Sequence, residues 1–82
     1  MKSVRERLKN AGVELESRYM IYRTENRVLI VPYYHMRTIE LRGSKVIIST
    51  GGIEKIILDM VSEEIAYQLF EELKLHLERI YL

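Results

Sequence analysis

The stretch Lys45–Met60, KVIISTGGIEKIILDM, places β-branched apolar runs on both sides of Gly51-Gly52. Glycine tolerates the positive φ of tight primed turns, so the pattern predicts a β-hairpin. With a two-residue loop, Val46, Ile48, Ile53 and Ile57 fall on one face. Ile47, Ile56 and Leu58 fall on the other. Side chains alternate along a strand, so a longer loop changes the pairing but leaves both faces apolar. A strand apolar on one side needs one cover; this hairpin needs two. The pattern therefore speaks about packing and assembly, and no catalytic or ligand-binding motif accompanies it.

The flanking sequence supplies possible covers. Lys2 to Ala11 reads as a short helix with a narrow stripe of Met1, Val4, Leu8 and Ala11. Gly12 suits the left-handed position after its end, which would bring Val13 onto Leu8. Val13 to Thr24 alternates as one half-buried strand, or two broken near Ser17. Taken as one, Val13, Leu15, Tyr19 and Ile21 share a face opposite Met20 and Tyr22. Thr24–Arg27 is a polar turn in which Asn26 can take positive φ. Arg27–Val31 is the next strand, ended by Pro32, which cannot donate to a ladder. Tyr34 and Met36 differ in parity from Ile39 and Leu41, which predicts a bulge or one-turn offset near Arg37-Thr38. Arg42-Gly43-Ser44 is a further turn.

Ser62 is a good N-cap, with Glu63 and Glu64 in the first turn where they favour the helix dipole. From there to about Tyr81 the apolar spacing is helical. Ile65, Ala66, Leu69, Phe70, Leu73, Leu77 and Ile80 form one broad side. Leu75, Tyr67 and Leu82 fall on the polar side. The expected fold is α+β, in a single domain spanning 1–82. It has a short N-terminal helix, an antiparallel sheet of about five strands (a meander or a small, partly open barrel) and a long amphipathic C-terminal helix packed on it. From Val31-Pro32 to Gly52, and on into Ser62-Glu63-Glu64, the order of strands then helix loosely resembles pleckstrin-homology-like domains. Those domains have seven strands before the helix. No functional residue carries over on this resemblance.

Composition bounds the reading. A chain of 82 residues buries only about 60–65% of its unfolded surface, so its core is thin. Ten Ile, ten Leu and six Val stand against three Asn and Gln together, a balance of the kind seen in thermophile proteins. The absence of cysteine excludes disulfides and thiolate chemistry and fits a reducing cytoplasm. Residues 1–12 are too charged for a signal-peptide core, and no apolar run approaches the ~20 residues that span a bilayer. The expectation is a soluble cytoplasmic protein without membrane contact. Net charge is +1, but residues 1–61 carry an excess of four positive charges and residues 62–82 an excess of three negative ones.

Catalytic and metal chemistry find no constellation. His35 and His76 are the only histidines, and neither has partners at metal-ligand spacing, so each reads as a surface or boundary residue. Asp59 is the only aspartate, and most glutamates fall on solvated faces. Ser44, Ser49 and Ser62 lie at turns or caps, and Gly51-Gly52 lacks the helix and Lys-Ser/Thr of a phosphate loop. No enzyme, cofactor or metal is expected. Two binding readings remain. The first is a small interaction module that acts through protein contacts with an unknown partner and pairs with itself, with Ile47, Ile56, Leu58 and Leu75 as interface candidates. The alternative is a nucleic-acid-binding protein or regulator. There Arg18, Arg27, Arg37 and Lys55 would neutralise phosphates and Tyr22 would stack on bases.

Overall fold

The computed structural model describes residues 3–81. In chain order these form α1 (Val4–Asn10), β1 (Val13–Leu15), β2 (Tyr19–Arg23), β3 (Val28–Pro32), a 3-10 turn (Tyr33–His35), β4 (Thr38–Arg42), β5 (Lys45–Ser49), β6 (Lys55–Asp59) and α2 (Glu63–Tyr81). The strands make two three-stranded antiparallel meanders, β1-β2-β3 and β4-β5-β6. The α+β class is as expected, but there are six strands in two sheets, not about five in one.

Two local breaks explain the difference. Glu16–Arg18 interrupt the first alternating segment and return it as β2 beside β1, with Leu15 opposite Met20 and Val13 opposite Tyr22. The reversal exchanges parity. Met20 and Tyr22 join Val13 and Leu15 on the buried face, and Tyr19 and Ile21 turn outward. Pro32 then ends β3, and the 3-10 turn at Tyr33–His35 rotates the chain before β4. The offset expected near Arg37-Thr38 therefore lies three residues earlier, and it separates the two sheets.

The hairpin predicted over Lys45–Met60 is β5–β6. Its connection is five residues, Thr50–Glu54, with Gly51 at φ 94°, and Ile48 pairs with Ile56. The longer loop moves Ile56 and Leu58 onto the inner face with Val46 and Ile48. Ile47 and Ile57 share the outer face, and Ile53 is fully exposed in the loop. The tight two-residue turn is instead Gly43-Ser44, between Arg42 and Lys45, with Gly43 at φ 60° as a type II′ turn requires. Asn26 takes no positive φ; the Thr24–Arg27 turn is closed by a Thr24 N–H to Arg27 carbonyl bond of 2.8 Å.

Both helices begin on serine. Ser3 Oγ accepts from Glu6 N–H at 3.2 Å and Ser62 Oγ from Ile65 N–H at 3.0 Å. Gly12, at φ 93°, ends α1 as expected, and its Cα approaches the Arg23 carbonyl so closely that a Cβ would collide with it. The stripe residue Met1 and the polar-side Leu82 lie outside the described residues. Val4, Leu8 and Ala11 face the interior. α2 packs on β4, β5 and the 3-10 turn, and α1 packs on β1 and α2. Their apolar sides meet in one cluster that includes Met20, Tyr33, Ile48, Leu58, Leu69 and Leu73. Among the described residues no helix is long and apolar enough to cross a membrane.

Candidate functional site

The outer face of the first sheet carries apolar side chains without a cover. Ile21 pairs with Ile30, Tyr19 with Pro32 and Arg23 with Val28, and all of these point away from the core. Ile30 is 62% and Val28 57% exposed. Both lie on β3, which is an edge strand.

The main chain of that edge is open. Bonds from Thr24 N–H to the Arg27 carbonyl and from Tyr33 N–H to the Arg18 carbonyl fix which pairs of the β2–β3 ladder exchange hydrogen bonds. Pairs alternate along an antiparallel ladder, so Met20–Val31 and Tyr22–Leu29 are the bonded ones. The N–H and C=O of Val28 and Ile30 therefore point away from β2. Pro32 falls on the same outward side, where its missing N–H costs the ladder nothing.

Exposed edges invite pairing with other chains, and proteins commonly guard them with charge. Three of the four edge strands are guarded so: β1 carries Glu14, β4 carries Glu40 and Arg42, and β6 carries Lys55 and Asp59. β3, Val-Leu-Ile-Val-Pro, carries no charged side chain.

The four interface candidates do not share one surface. Ile56 and Leu58 belong to the core face of β6, Leu58 fully buried, which removes both from an exposed interface. Ile47 lies on the outer face between Glu40 and Ile57. Leu75 is 47% exposed on α2. The nucleic-acid candidates are also dispersed. Tyr22 is 8% exposed inside the core and offers no ring to a base. Arg18 and Arg27 lie at opposite ends of β2, in the turns that precede and follow it. Arg37 and Lys55 are closer: Arg37 N–H donates to the Ser49 carbonyl at 2.7 Å, and Ser49 pairs with Lys55.

A second feature lies between α1, β1 and α2. It is a cleft of about 140 Å³ lined by Arg5, Leu8, Val13, Leu15, Glu72 and His76. The His76 ring is held from two sides. Its Nδ1 lies 2.9 Å from the Glu72 carbonyl, and its face meets Tyr33 with ring centroids 4.7 Å apart. With Nδ1 bonded to a carbonyl, Nε2 is the ring atom left for other partners. Tyr33 is buried beneath it and donates to the Glu16 carbonyl at 2.6 Å. Burial, with the Glu16 carboxylate adding to it, pushes the Tyr33 hydroxyl well above the ordinary tyrosine range. Beside this cleft is another, lined by Arg5, Lys9, Val13, Glu14 and Glu16. There a hydrogen bond from Arg23, helped by its charge and those of Lys9 and Arg5, lowers the Glu14 carboxyl below its usual value. Sequence spacing misses the first cleft because α1 and α2 meet only through the tertiary fold. Among the described residues, no group of three or more His, Asp and Glu could hold a metal ion.

No protein-family model, curated protein or solved structure matches this chain.

Proposed function

We propose that the chain is a non-enzymatic binding module of the cytoplasm that acts through protein–protein contacts and pairs with a second copy of itself along β3. The observation that carries the reading is the uncharged open edge of β3, with Ile30 presenting its main-chain groups sideways and its side chain to solvent. Identical strands can pair antiparallel about a two-fold axis, the commonest closed symmetry. Centred on Ile30, that pairing lets each Ile30 exchange both main-chain bonds with Ile30 of the second copy. Val28 N–H meets the carbonyl of Pro32. The Ile21–Ile30 row of each outer face then continues into the other. The dispersed arginines and the buried Tyr22 give the nucleic-acid reading no comparable surface. The cysteine-free sequence supports the cytoplasmic assignment.

Sedimentation velocity over a range of concentrations tests the pairing. The expected result is a dimer for the wild type and a monomer with unchanged circular dichroism for Ile30→Lys, since Ile30 is exposed and the charge guards the edge. A wild type that stays monomeric at the highest concentrations, or a dimer indifferent to Ile30→Lys, overturns it.

A further inference from the structure

We draw no further inference here: the strongest candidate, the β5–β6 loop, which leaves Ile53 fully exposed and lies against the Arg37 side chain at Gly51, is an unpartnered apolar patch, and nothing in the structure shows what covers it.

Discussion

Val61 stands alone among the described non-glycine residues in having a positive φ, 68°, and it is 91% exposed. Ser62 N–H bonds the Met60 carbonyl across it at 2.7 Å, which makes a γ-turn of the strained hand. Asp59 Oδ1 holds the Val61 N–H at 2.9 Å. The turn delivers Ser62 to its capping position. A β-branched residue is costly there, and no contact of the side chain offsets it. Val61→Gly is expected to raise stability by about 1 kcal/mol, read as a higher urea midpoint at unchanged slope. Tyr33 gives a pH prediction. Its hydroxyl titrates higher in the folded chain than the ordinary tyrosine value, so the unfolded chain releases that proton first. The stability Tyr33 contributes is complete below about pH 10 and is lost as pH rises from there toward the folded value. Tyr33→Phe gives up the bond to the Glu16 carbonyl, at about 1 kcal/mol near neutrality, but escapes the alkaline loss. The gap between the two proteins in urea unfolding should therefore hold to about pH 9 and narrow as pH rises past about 10.

The hairpin β5–β6 shows how far pattern reading reaches. That Lys45–Met60 pairs with itself, that Gly12 and Ser62 bound the helices, and that α2 has a broad apolar side are local properties, written in spacing and turn chemistry. The register is different. It depends on whether Gly51-Gly52 forms the whole loop or part of one, and the five-residue loop moved Ile56 and Leu58 from the presumed outer face into the core. One strand broken at Ser17 likewise exchanged Tyr19 and Ile21 for Met20 and Tyr22. Single-residue slips reverse every side chain of a strand, so burial was the least legible quantity and the candidate sites built on it moved most. The cleft was beyond reach, because Arg5 and Glu72 are 67 positions apart in the chain. The corrected register is testable. Leu58→Lys places an ammonium in the core and should cost at least about 3 kcal/mol. Ile47→Lys, opposite Glu40 on the solvated face, should stay within about 1 kcal/mol of wild type in the same denaturation assay.

The molecule is as compact as its length predicts: its Cα radius of gyration is 11.8 Å, against about 12 Å expected for a compact chain of this size. Its positive charges are spread around that body rather than gathered. Arg7, Arg23 and Arg42 are engaged by Glu64, Glu14 and Glu40. Fluorescence anisotropy with labelled DNA and RNA is therefore expected to show no saturable binding at physiological salt; tight binding that falls steeply with salt would return the arginines to the centre of the function. Assembly has a geometry of its own. The first sheet has two edges, but β1 is three residues long and packs on α1, with Leu8 buried behind it. If β3 pairs as proposed, each molecule thus has a valence of one. Units with a single sticky side form pairs and stop, whereas units with two grow without limit. On the pairing proposed for β3, the seven residues of α1 would keep the protein in the first category. Loosened from β1, they would uncover the outward main chain of Val13 and Leu15 as a second side, and the pairing proposed for β3 would run on into a fibre.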